Sequence, residues 1–118
     1  MTIDHAVLDA LLDVTGGDVE FVESLIATYL GDAPTLITAL RQAAASGDVA
    51  AIVLPAHSLA STSITMGATS LGETCRALEH EARAGAVDDL AARVESIATA
   101  FEAVRDELAG VRLEARSA

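Results

Sequence analysis

Residues 90–111, LAARVESIATAFEAVRDELAGV, place Leu90, Val94, Ile97, Phe101, Val104, Leu108 and Val111 at successive 4-3-4-3-4-3 steps. That spacing draws one apolar stripe down a helix and is the seam of an antiparallel bundle. Strand-like alternation of apolar and polar residues is not sustained anywhere in the 118 residues. The chain is 52% hydrophobic but only 3% aromatic, so its core must be built from Leu, Ile, Val and Ala. The fold class that follows is all-α: an antiparallel up-down four-helix bundle with a short additional N-terminal helix. One domain spanning residues 1–118 fits this length.

Upstream of the seam, Leu71, Cys75, Leu78 and Ala82 form the core stripe of a helix set between Gly67 and Gly85. Ser46-Gly47-Asp48 reads as a stop followed by a cap, and predicts a helix from about Val49 to Thr65. A longer helix opens at the cap Asp18 and carries Val22, Ile26, Tyr29, Ala33, Leu36 and Leu40 inward. Pro34 lies within it and predicts a kink, or a split at Gly31-Asp32. The first helix, residues 3–14, buries Ile3, Val7, Leu8, Leu11 and Leu12 and stops at Thr15-Gly16-Gly17. The tail after about Glu114 is small and polar and is expected to fray.

Eighteen acidic side chains face seven basic ones, all arginine, for a formal net charge of −11. Such a surface repels phosphate backbones and anionic headgroups, which argues against nucleic-acid and membrane partners. The single cysteine, Cys75, excludes an internal disulfide and falls in a core stripe, where it reads as a small buried hydrophobe. The start, MTIDH, has no signal-peptide character, and no apolar run reaches membrane-spanning length. These features predict a cytoplasmic location.

On the third helix, Val49, Ile52, Val53, Ala56, Leu59, Ala60, Ser63 and Ile64 share the core face at about 100° per residue. His57 falls at the edge of that face. One ring nitrogen can then be held by the bundle while the other meets solvent. Ala50, Leu54, Ser61 and Ile64 surround it, and with Ser58 and Ala60 make up a candidate docking surface. Leu54 points away from the core, where a polar residue is expected. Helix position alone favours reading His57 as an ordinary boundary residue.

The wider pattern points elsewhere. Ala56-His57-Ser58-Leu59-Ala60-Ser61-Thr62-Ser63, followed by Gly67-Ala68, Leu71, Cys75 and Leu78-Glu79, resembles the histidine phosphotransfer (HPt) domain family of two-component phosphorelays. That family's signature reads approximately A-H-x-L-K-G-S-S, a short spacer, G-A, then L-x-x-x-C-x-x-L-E. The likeness continues upstream through Phe21-Val22, Leu25-Ile26, Tyr29-Leu30, Asp32-Ala33-Pro34 and Leu40-Arg41. It implies that His57 accepts a phosphoryl group from a receiver-domain aspartate and passes it to another receiver. The chain would then be a phosphocarrier rather than a turnover enzyme. It would need no cofactor of its own, with Mg²⁺ bound only in the partner receiver. Expected partners are response-regulator receiver domains or a hybrid histidine kinase, and the chain itself is expected to be a monomer.

Two positions depart from that signature. Ala60 stands where the family has lysine, and Ser61 where it has glycine. Loss of the lysine removes the cation one turn from His57 and bears on transfer rate and phosphohistidine lifetime. If the third and fourth helices form a hairpin about Gly67, His57 lies level with residues near Ala77. Arg76 and His80 are then the candidates to stabilise the phosphoryl group. His5 reads as solvent-exposed without a partner, and Glu79 as a structural hydrogen-bonding residue. His80 is flanked by Glu79 and Glu81, but neighbours on a helix diverge, so no metal site is expected.

Two competing readings stay open on sequence. One is a degenerate HPt-like adaptor that docks receiver or kinase domains without carrying phosphate; the other is a helical dimerisation domain unrelated to phosphate. The opening methionine and complete helical plan suggest a free-standing protein, with a domain of a larger kinase as the alternative.

Overall fold

The computed structural model describes residues 2–111 and residue 113. Among them are five α-helices and no strand: α1 (His5–Val14), α2 (Val19–Ser46), α3 (Val53–Thr65), α4 (Thr69–Arg83) and α5 (Leu90–Ala109). Helices α2 to α5 pack into a bundle, and α1 lies against α2. None of these helices is long and apolar enough to cross a membrane. The tail expected to fray lies outside the described residues.

Local chemistry sets the helix ends. The Asp18 carboxylate accepts from the Phe21 N–H at 3.0 Å and opens α2, and Gly47, at φ 66°, closes it. The left-handed conformation at Gly47 strains any residue with a Cβ. Asp48 then accepts from the Ala51 N–H at 3.1 Å, the cap that the sequence predicts.

Three expectations need correction. Pro34 does not split α2, which runs unbroken over 28 residues. Pro34 is exposed, and the buried Tyr29, Ala33 and Ile37 hold the helix to the bundle on both sides of it. The inward position after Ala33 is Ile37, 4% exposed, while Leu36 is only half-buried. The predicted third helix begins instead as one 3₁₀ turn, Ala50–Ile52, and α3 proper starts at Val53. Pro55 has no N–H to give the Ala51 carbonyl, so an α-helical ladder cannot extend back through Ala51.

The core is the aliphatic one that composition requires, with Tyr29 and Phe101 edge to face at 5.8 Å between ring centres. The Tyr29 hydroxyl and Ser63 Oγ share a buried hydrogen bond of 2.8 Å, which ties α2 to α3. This bond, with Ala56 and Leu59 fully buried beside it, fixes which side of α3 faces inward. Burial pushes the Tyr29 hydroxyl up to about 12.

Helices α3 and α4 form the closest pair. A Cβ added at Gly72 would run into Ile64 Cγ1 and lie 3.0 Å from the Ala60 carbonyl oxygen. Only a residue without a side chain lets the two backbones approach this far. At the turn between them, Gly67 has φ 85°, and its carbonyl accepts from the Asp4 N–H at 2.8 Å. This bond ties the N-terminal segment to the bundle.

The same segment is held to α5 by Glu107. One carboxylate oxygen accepts from the Thr2 N–H (2.9 Å) and hydroxyl (3.0 Å). The other accepts from the Ile3 N–H at 3.2 Å and meets His5 Nε2 at 2.9 Å. His5 therefore has a partner, contrary to the sequence reading. Hydrogen bonds from Thr2 above all bring the Glu107 carboxyl down to about 2.

Gly72→Ala is expected to cost about 1–3 kcal/mol through overpacking. Gly31→Ala, on an exposed helix face with open space around it, is expected to gain about 0.5–1 kcal/mol. Urea unfolding midpoints compare the two. The depressed Glu107 carboxyl stabilises the fold above its ordinary value of 4.5 and loses that contribution as pH falls toward about 2. Thermal unfolding should therefore find Glu107→Gln less stable than wild type near neutrality, with the gap closing as the solution is acidified through that window.

Candidate functional site

His57 sits in the middle of α3 with 60% of its side chain exposed. Its position follows from the inward set of Ala56, Leu59, Ala60 and Ser63, which leaves the imidazole at the boundary. Across the α3–α4 contact, its Nδ1 lies 3.1 Å and 3.0 Å from the two carboxylate oxygens of Glu79. Glu79 is 8% exposed, so its charge is nearly out of water and needs donors. Arg83, one turn along α4, supplies them through Nε and Nη2, each 2.9 Å from Oε2.

Burial by itself raises the Glu79 carboxyl, but hydrogen bonds from Arg83 and His57, and their charges, outweigh it and hold it below its ordinary value. Glu79 is therefore ionised near neutrality and can only accept. The proton of a neutral His57 must then sit on Nδ1, and the lone pair on Nε2. Nε2 has no hydrogen-bond partner among the described residues, on a side chain that is mostly exposed. A neutral imidazole held in this way is an oriented nucleophile.

An open groove of about 320 Å³ runs along this contact, lined by His57, Arg76, Glu79, His80 and Arg83. The two α4 residues expected near His57, Arg76 and His80, thus share its groove. Arg76 is exposed and makes no ion pair there. His57 lies level with Glu79, two residues beyond the hairpin estimate of Ala77. Arg83 was not expected: its role depends on the exact register of two helices, and the only sequence trace is its four-residue spacing from Glu79.

The candidate docking residues divide. Ala50, Leu54, Ser58 and Ser61 are exposed, Leu54 by 75%, and Ile64 is half-buried against Gly72. Ala60 is only 2% exposed, because α4 crosses over it at Gly72, so it offers no surface to a partner. A second, mainly apolar groove of about 170 Å³ lies between α2 and α3, where Leu25, Tyr29 and Met66 meet Ser61, Thr62 and Thr65. Cys75 is fully buried, and burial pushes its thiol up to about 12, which leaves it inert at neutral pH.

The family model of the Hpt domain matches residues 24–112. Among solved structures, the chain is similar to histidine-containing phosphotransfer protein B (HptB) from Pseudomonas aeruginosa PAO1. The two share 30% identity over 94% of this chain and 97% of that one, with a TM-score of 0.81. A search of curated proteins returned no match.

The geometry makes a spectroscopic prediction. Glu79→Ala removes the acceptor at Nδ1, so neutral His57 should change from a single Nδ1–H tautomer to a mixture of both. Ring ¹⁵N shifts measured above the imidazole titration report this; unchanged shifts would show that Glu79 does not set the tautomer.

Proposed function

The chain belongs to the Hpt domain family and so has a histidine phosphotransfer role, and from that premise we propose that His57 is its phosphoryl-accepting residue. The observation that carries this reading is an exposed imidazole with Nδ1 held by a buried carboxylate and Nε2 left open.

The reaction needs little from this chain beyond position. The Nε2 lone pair attacks the phosphorus of a receiver's aspartyl phosphate, the N–P bond forms, and the P–O bond breaks. The aspartate leaves as its carboxylate, and the Nδ1 proton stays on the ring against Glu79. The resulting ring cation faces the Glu79 charge, which supports it through the transfer. Return to a second receiver reverses these steps, so the chain acts as a carrier and not as a turnover enzyme. Mg²⁺ in the receiver supplies the charge neutralisation that drives P–O cleavage.

Ala60 leaves α3 without a cation near His57, and the groove supports Arg76 as its replacement. Among the described residues its guanidinium makes no ion pair, and its fork is suited to phosphoryl oxygens. His80 lines the same groove and can add a hydrogen bond. Leu54, with Ala50, Ser58 and Ser61, forms the face on which a receiver would settle. An exposed leucine ringed by small residues admits a flat partner and brings its active-site pocket over Nε2.

The test mixes the full chain with a panel of phosphorylated receiver domains and Mg²⁺ and assays acid-labile, base-stable phosphate. Wild type should take up phosphate and His57→Gln should take up none. Arg76→Ala should lower uptake by about tenfold, roughly 1.4 kcal/mol of transition-state stabilisation. Receiver binding without any uptake would instead select the adaptor reading.

A further inference from the structure

Glu79 Oε2 is a crowded atom. It accepts from Nε of Arg83 at 2.9 Å, contacts Nη2 of Arg83 at 2.9 Å, and lies 3.0 Å from His57 Nδ1. Oε1 meets His57 alone, at 3.1 Å. Among the described residues, Glu79 thus has only two hydrogen-bonding partners, one on each helix. Arg76 and His80, the other ionisable groups of the groove, make no hydrogen bond to it.

A glutamate side chain has three rotatable bonds, and a single imidazole N–H does not fix all of them. Its alternative is to swing its charge toward water, which would remove the cost of burial. Arg83 opposes that swing. Two of its guanidinium nitrogens, Nε and Nη2, converge on Oε2, and its backbone lies one helical turn further along α4.

We propose that Arg83 is a positioning residue: by gripping Oε2 it keeps the Glu79 carboxylate turned to Nδ1, and so keeps the His57 lone pair on the open Nε2. This rests on His57 being the phosphoryl acceptor. Arg83 acts through Glu79 and not on the phosphoryl group, which separates its role from that of Arg76. An Arg–Glu pair at this spacing on a helix surface ordinarily adds little. Here it is the anchor of a three-residue chain that ends at the reacting ring.

The test uses the full chain and phosphoramidate, a small donor that needs no docking surface. His57 Nε2 attacks its phosphorus, the N–P bond to the donor nitrogen breaks, and ammonia leaves. Arg83→Ala should spread the His57 ring ¹⁵N shifts toward the two-tautomer mixture expected of Glu79→Ala. It should slow phosphorylation about tenfold, the lower end of the range by which outer partners of an oriented histidine act. Arg83→Lys, which keeps a donor at that place, should recover most of both effects. In a Glu79→Gln background, Arg83→Ala should cost nothing more.

Unchanged ring shifts in Arg83→Ala would overturn the proposal and leave the pair a surface contact. Further slowing in the Glu79→Gln background would also overturn it, by placing Arg83 on the phosphoryl group itself. The ring shifts of the unphosphorylated protein decide the matter independently: a wild type that takes no phosphoryl group defeats the carrier reading, while the shifts still report whether Arg83 orients Glu79.

Discussion

A carboxylate carried into a helix–helix contact has to find donors there or remain uncharged. Glu79 finds them on both sides, Arg83 one turn along its own helix and His57 on the helix opposite. The pairing is available only because α3 and α4 come unusually close, and that approach depends on Gly72, where any side chain would strike Ile64. Backbone packing, a buried charge and the orientation of one imidazole are therefore a single constraint seen at three scales. The remainder of the bundle supports it: the Tyr29–Ser63 hydrogen bond sets the rotation of α3, and the Gly67–Asp4 bond ties the N-terminal segment to the α3–α4 turn.

Much of this architecture is legible in the sequence, for identifiable reasons. The stripe of α5 survives as the buried set Val94, Ile97, Phe101, Val104 and Leu108, because a two-turn repeat constrains every inward position. Asp18 and Asp48 announce their helix starts through short-range hydrogen bonds that need no tertiary knowledge. Proline was harder to read. Pro34 looked like a break yet sits on the solvent side of a helix that packing holds together. Pro55 carries no helix-start signal that periodicity registers, yet it is what separates the 3₁₀ turn from α3.

The site was legible in outline only. Helix geometry placed His57 at the edge of the core face with one nitrogen held, and the structure supplies Glu79 as the holder. What periodicity cannot give is the register between two helices. An offset of two residues, from Ala77 to Glu79, decides which α4 side chain meets the imidazole, and it brings in Arg83. The same limit explains Ala60: its angle on α3 was consistent with burial, but the reason nothing can reach it is the passage of α4 at Gly72. The apolar groove between α2 and α3 likewise arises from two helices together and leaves no mark on either alone.

The chain carries a net charge of −11, yet the groove beside His57 gathers Arg76, His80 and Arg83 around one carboxylate. A local excess of donors on an acidic protein is suited to a transient anion, and the unpartnered Nε2 of His57, whose other nitrogen Glu79 holds, is where that anion would be bonded. The most direct measurement is the site of the N–P bond itself. The full chain, labelled with ¹⁵N in its histidine rings, would be phosphorylated and its ³¹P–¹⁵N couplings recorded. The account predicts a phosphoryl group on Nε2 of His57 with the proton retained on Nδ1; phosphate on Nδ1, or on His5 or His80 in place of His57, would contradict it.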